Sequence, residues 1–213
     1  MALPMLQVAL DCESTAEALN VARQVMDQVD VLETGTILCY QDGVKAVSAL
    51  RAVGPDKIVL ADVKCADAGT KFGKASKDAG ADWMTCINAA TVPTMVNARK
   101  EIEVQVELYE GWDNKERMQE WLNNGIDQVV YHQSRDAKFA GQKWGEKDVA
   151  NVKALIDMGF KVSVTGGVHP EVLKLFKDLP VYCFIAGRDI RNAEDPHARA
   201  KQYKDEIKRI WGC

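Results

Sequence analysis

One recurrence limits what this chain can fold into. Short runs rich in Val, Ile and Leu stand at 6–10, 31–33, 58–62, 83–87, 104–108, 128–131, 161–164 and 182–186. Stretches of helical period alternate with them at 15–29, 43–53, 70–79, 92–99, 115–123, 147–158, 170–176 and 196–211. A strand followed by a helix is the unit from which parallel sheets are built. Eight such units within 213 residues predict one domain over 1–213, a single (β/α)8 barrel. Local signals agree with the helices. Ser14 with Glu17 makes a capping box, Pro170 suits a first turn, and Gly125 and Gly159 suit helix ends.

The rival arrangement is a doubly wound open sheet. What favours the barrel is the chemistry at the C-terminal end of each strand. In order these ends carry Asp11, Glu33, Asp62 with Lys64, Asn88, Glu107, His132 with Arg135, Thr165-Gly166-Gly167 and Gly187-Arg188. A barrel gathers all of them on one face, where active sites of this fold lie. An open sheet would spread them along an edge.

Composition excludes several partners. The net charge is −4 and no Lys/Arg run occurs, which argues against nucleic acid and anionic membranes. No apolar stretch reaches the ~18 residues of a membrane span. The opening MALPMLQVALD turns acidic too soon for a signal peptide, so a cytoplasmic location is expected. The six cysteines are scattered without a C-x-x-C pair, so they read as reduced thiols rather than a zinc site or disulfide framework.

The most informative stretch is LADVKCADAG, at 60–69. Asp62 and Lys64 are two apart, so on a continuing strand they face the same side. Buried charges are paired or bound to something. The bland reading is an ion-pair network that closes the barrel. The functional reading is a charged array aimed at a substrate, with Asp11 and Glu33 converging on it. At the far side of the face, Thr165, Gly166, Gly167, Gly187 and Arg188 suit a phosphate. Glycine lets backbone N–H groups approach an anion, and arginine adds a two-pronged contact. His132, followed by Arg135, is the best proton-handling candidate. His169 and His197, beside prolines, read as surface residues.

Asp62-x-Lys64-x-x-Asp67, together with the TGG, AGR and YHQSRD segments in order, resembles the orotidine 5′-monophosphate decarboxylase superfamily of barrels. The likeness runs from LQVALD to FIAGRDI. That superfamily includes keto-gulonate 6-phosphate decarboxylases and hexulose-6-phosphate synthases. Where the orotidine branch carries a lysine in a K-x-G context, this chain has Glu33-Thr34-Gly35. A carboxylate there, beside Asp62, calls for a cation between them, and oxygen ligands suit Mg²⁺. The resemblance therefore implies Glu33 and Asp62 as metal ligands. It implies Lys64 at an enediolate oxygen, Glu107 and Asp11 on substrate hydroxyls, and His132 and Arg135 at the protonation step. It also implies Asp67 donated across a homodimer interface. YHQSRD is similar to the keto-gulonate branch, so the expected reaction is decarboxylation of 3-keto-L-gulonate 6-phosphate to L-xylulose 5-phosphate and CO₂. Hexulose-6-phosphate synthesis and non-catalytic sugar-phosphate binding are the alternatives.

Overall fold

Eight parallel strands close on themselves in sequence order, each hydrogen-bonded to its neighbours and the last to the first. They are β1 (Met5–Leu10), β2 (Val31–Thr34), β3 (Ile58–Cys65), β4 (Trp83–Ile87), β5 (Glu103–Leu108), β6 (Gln128–His132), β7 (Lys161–Thr165) and β8 (Cys183–Ala186). The chain is thus a single (β/α)8 barrel, as expected. This computed structural model describes residues 2–133, 141 and 143–212.

The helices are α1 (Thr15–Val25), α2 (Thr36–Asp42), α3 (Lys45–Val53), α4 (Gly69–Asp78), α5 (Val92–Arg99), α6 (Lys115–Asn123), α7 (Glu146–Asp157), α8 (Pro170–Leu173), α9 (Arg188–Arg191) and α10 (Pro196–Trp211). Side-chain caps start several of them. The oxygens of Ser14, Thr91, Asn114 and Asp195 each accept a backbone N–H three residues on. Glu17 accepts from Glu13 N rather than Ser14 N, so only half of the expected capping box forms. None of the described helices is long and apolar enough to cross a membrane.

The elements differ from expectation in five places, each for a local reason. α1 ends at Val25, because the chain turns there so that Asp30 can accept Leu6 N at 2.8 Å. α2 and α9 are helices that the periodicity does not predict; seven and four residues are too short to display a period. The helix expected from residue 43 starts at Lys45, since Gly43 has φ +65° and ends α2. The helix expected at 170–176 tightens to a 3₁₀ turn at Lys174–Phe176. Strand β3 runs three residues past Asp62 and carries an irregularity against β4.

Outward strand residues and inward helix residues form the main core, including Val8, Leu32, Val59, Met84, Val106, Val129, Val162 and Phe184. Inside the barrel, Val31, Leu60 and Trp83 pack together. Ala9, Val130, Cys183 and Ile185 form a second inward cluster. Inward residues along each strand are spaced by two, as the pleat requires. The same alternation carries polar side chains into the interior above these apolar plugs.

Candidate active site

A cavity of about 620 Å³ opens among the strand ends. β1 supplies Gln7, Ala9 and Asp11, and β5 with its following loop supplies Gln105, Glu107 and Tyr109. β2 adds Glu33, β3 Asp62 and Lys64, β4 Thr85, and β6 His132. The loops after β7 and β8 add Thr165, Gly166, Gly167, Gly187 and Arg188.

The centre of the array is Lys64. Its Nζ lies 3.0 and 2.9 Å from the two Asp62 oxygens and 2.5 Å from Glu107 Oε1. The side chain reaches there through an unusual backbone. Between the pairs Ala61–Met84 and Cys65–Cys86, β3 advances four residues while β4 advances two. The resulting bulge contains Asp62-Val63-Lys64, and Lys64 has φ +45°. Such a conformation costs a non-glycine residue energy and tends to collect at functional sites. Thr85 holds the bulge: its hydroxyl accepts from Lys64 N at 2.9 Å and donates to Asp62 Oδ1 at 2.7 Å. The Thr36 hydroxyl donates to Asp62 Oδ2.

Glu107 is a junction of three side chains. Oε1 takes the Lys64 ammonium, while Oε2 accepts from the Tyr109 hydroxyl at 2.6 Å and pairs with His132 Nδ1 at 2.9 Å. A carboxylate has no proton to give, so Nδ1 is the donor and Nε2 is the ring nitrogen left for other partners. Tyr109 also lies against His132, with ring centroids 4.9 Å apart. Burial opposes the charge on Glu107. The His132 bond and the Lys64 charge outweigh that and hold it below the usual carboxylate range. Burial likewise opposes the Lys64 charge, but Glu107 and Asp62 more than compensate and raise its pKa.

The other two carboxylates are shifted the opposite way. Burial, then the Asp62 and Asp11 charges, push Glu33 well above its ordinary range. Burial and the Glu107 charge push Asp62 up to about 7. Gln7 Nε2 donates to Glu33 Oε2 at 2.6 Å. Glu33 and Asp62 are thus reluctant anions at one end of an array that Lys64 neutralises only in part. Their hard oxygens fit a divalent cation that fills its remaining positions with water or substrate oxygens. Among the described residues no group of three or more His, Cys, Asp or Glu forms a closed metal cage. Asp11 stands beside them, with Oδ1 accepting from Ile37 N at 3.3 Å. Gly35 must lack a side chain here, since a Cβ would come within 2.5 Å of that oxygen.

On the opposite side, Gly166 (φ +105°) and Gly167 (φ +67°) follow Thr165 in left-handed conformations. A Cβ on Gly166 would lie 2.0 Å from Gln133 O. Trp144 Nε1 donates to Gly166 O at 3.0 Å.

The structure therefore brings Asp11, Glu33, Asp62, Lys64, Glu107, His132, Thr165, Gly166, Gly167, Gly187 and Arg188 to one cavity. Asp67 is different: it is exposed and does not line the cavity of its own chain. Arg135 lies outside the described residues. His169, expected on the surface, is 44% exposed but lines the cavity mouth, whereas His197 pairs with Asp27 elsewhere. Asn88 does not line the cavity; it latches the loop after β5, donating to Glu110 O and accepting from Tyr109 N. Sequence reasoning passes over Thr36, Thr85, Tyr109, Gln7 and Gln105. Gln105 and Tyr109 sit two residues either side of Glu107, so strand parity alone could have flagged them.

Residues 4–203 match the orotidine 5′-phosphate decarboxylase / HUMPS family. The chain is 50% identical over 217 aligned positions to the 3-keto-L-gulonate-6-phosphate decarboxylase UlaD of Salmonella paratyphi B, covering 100% of both chains. It superimposes on KGPDC from Streptococcus mutans, in a complex with a sugar phosphate, with a TM-score of 0.97, at 52% identity, covering 99% of this chain and 100% of that one. It is also similar to the 3-keto-L-gulonate-6-phosphate decarboxylase of Vibrio cholerae O1 biovar El Tor (TM-score 0.90, 38% identity, covering 99% of this chain and 100% of that one). Barrel, bulged array and full-length likeness agree: the chain belongs to the orotidine 5′-phosphate decarboxylase / HUMPS family.

Proposed function

We propose that this chain is a carboxy-lyase that converts 3-keto-L-gulonate 6-phosphate to L-xylulose 5-phosphate and CO₂, in sugar-acid catabolism. The observation that carries this reading is the full-length 50% identity to a named 3-keto-L-gulonate-6-phosphate decarboxylase. The sugar phosphate held by the Streptococcus mutans relative is in keeping with a phosphorylated substrate.

The substrate is a β-keto acid, so departure of CO₂ leaves an enediolate. Lys64, kept cationic by Asp62 and Glu107, presents a fixed positive charge to that oxyanion. A preorganised donor of this kind is typically worth ~3–4 kcal/mol in the transition state. Glu33 and Asp62 would hold Mg²⁺, which supplies further positive charge toward the same oxygens. Glu107 orients both Lys64 and His132, so His132 Nε2 is the atom positioned to hold or deliver the proton that quenches the enediolate. Arg135 acts with His132 in this reading. Asp11 holds a substrate hydroxyl. Glu107, already engaged on both oxygens, reaches substrate only through Lys64, Tyr109 and His132. Thr165, Gly166, Gly167, Gly187 and Arg188 hold the phosphate.

The reading includes a homodimer in which Asp67 reaches the partner's cavity. Its exposed position supports this, as does exposed apolar surface close by in the chain. Phe72 on α4 is 44% exposed, and Ile37 and Tyr40 on α2 are 39% and 88% exposed. The deciding test is CO₂ release by purified protein from 3-keto-L-gulonate 6-phosphate with Mg²⁺, after EDTA treatment, and after Mg²⁺ is restored. Release that is lost with EDTA and recovered with Mg²⁺ is expected. No release with metal present would overturn the function, and undiminished release without metal would overturn the metal assignment.

A further inference from the structure

The two glycine loops are joined by the last helix. The pairing between β7 and β8 includes Ser163–Cys183 and Val164–Phe184 and stops short of both loops. Above it, Gly166 and Gly167 adopt conformations that favour glycine, which leaves the local backbone permissive. The sheet alone therefore does not set the separation of Thr165-Gly166-Gly167 from Gly187-Arg188.

Side chains of α10 bridge that gap. Tyr203 is fully buried, and its hydroxyl shares one proton between Val168 O at 2.7 Å and Asp189 Oδ2 at 2.5 Å. Val168 follows Gly167 directly, and Asp189 follows Arg188. Arg199 then grips Asp189 with both prongs, Nε to Oδ2 at 2.9 Å and an Nη to Oδ1 at 3.2 Å. Its guanidinium also lies over the Tyr203 ring, 5.7 Å from the centroid. Asp189 lines the cavity, where a carboxylate facing a phosphate would repel it. Both of its oxygens are instead committed to Arg199 and Tyr203. The bracket thus ties the loops together and screens the one acid beside them.

We propose that Tyr203, with Asp189 and Arg199, is a positioning device that sets the spacing of the two loops and thereby the affinity for the substrate's phosphate group. This inference rests on reading those loops as the phosphate site. It is tested with Tyr203→Phe, which removes only the bridging hydroxyl, and with Asp189→Asn as a second variant. Each is checked for native melting, then measured for KM of the phosphorylated substrate and for competitive inhibition by inorganic phosphate. Both constants should rise together by about fivefold, the scale of one lost hydrogen bond, and kcat should change less than KM. Arg188→Ala, run in parallel, tests the underlying site. If Arg188→Ala weakens phosphate inhibition while folded Tyr203→Phe and Asp189→Asn do not, the bracket is overturned and the phosphate site stands. If Arg188→Ala has no effect on phosphate inhibition, the phosphate reading itself falls, and the bracket with it.

Discussion

Thr85→Val is the substitution that most directly tests whether the β3 bulge is built for Lys64. Thr85 is 3% exposed, and valine copies its shape while removing both hydroxyl bonds. The bond to the buried Asp62 carboxylate is worth about 1.5–3 kcal/mol and the one from Lys64 N about 1 kcal/mol. Asp62 Oδ1 keeps its Lys64 contact, so the loss should fall near the lower end, about 2–3 kcal/mol. For a chain of this size that lowers Tm by roughly 5–10 °C. The functional loss should be larger. With no acceptor for its N–H, Lys64 is free to leave the left-handed conformation at φ +45° and carry its ammonium away from Glu107 and Asp62. A displacement on the order of 1 Å at a charged centre costs about 10²-fold in rate. Thr85→Ser keeps the hydroxyl and loses a methyl, so it separates packing from hydrogen bonding. Thermal melts followed by steady-state CO₂ release give both readouts. If Thr85→Val retained the kcat of Thr85→Ser, the claim that this hydroxyl positions Lys64 would be wrong.

Three further outcomes are expected. Tyr109→Phe removes one donor from Glu107 Oε2 and should lower kcat by about tenfold, with a smaller change in KM; an unchanged kcat would remove Tyr109 from the junction. Lys64→Ala and Asp67→Ala should each be inactive alone. Refolded together from denaturant they should regain about one quarter of wild-type activity, because half of randomly paired dimers are mixed and each holds one intact site in two. No recovery would show that sites are not shared. Gly166→Ala forces a Cβ to within 2.0 Å of Gln133 O at φ +105°, so urea unfolding should show a loss of more than about 1 kcal/mol and phosphate inhibition should weaken. Native stability would mean that the loop rebuilds without cost.

The barrel was legible in the sequence because its signals are local and repeat. Strand runs and helices such as α5, α6 and α10 carry their periods and caps within a few residues. The short α2 and α9 carry none, and only the packed structure reveals them. The same division runs through the site. Asp11, Glu33, Asp62, Glu107 and His132 could be picked out from strand ends, since charged groups stand out against apolar runs. Thr85 could not, since a threonine in a strand is ordinary and gains meaning only from the neighbour that register brings to it. The D-x-K-x-x-D segment shows the limit most sharply. As a string it is one motif, but the backbone divides it. Lys64 at φ +45° turns the first two charges inward, and Ala68 at φ +56° starts α4 just after Asp67, leaving that acid exposed. These are the described non-glycine residues with positive φ, and no local propensity predicts either of them. Both are held by contacts from elsewhere: Thr85 on β4 binds Lys64 N, and the close approach of Gly69 to Thr94 O on α5 seats the start of α4. The assignment of roles within ten consecutive residues is therefore made by strands and helices that follow them in the chain.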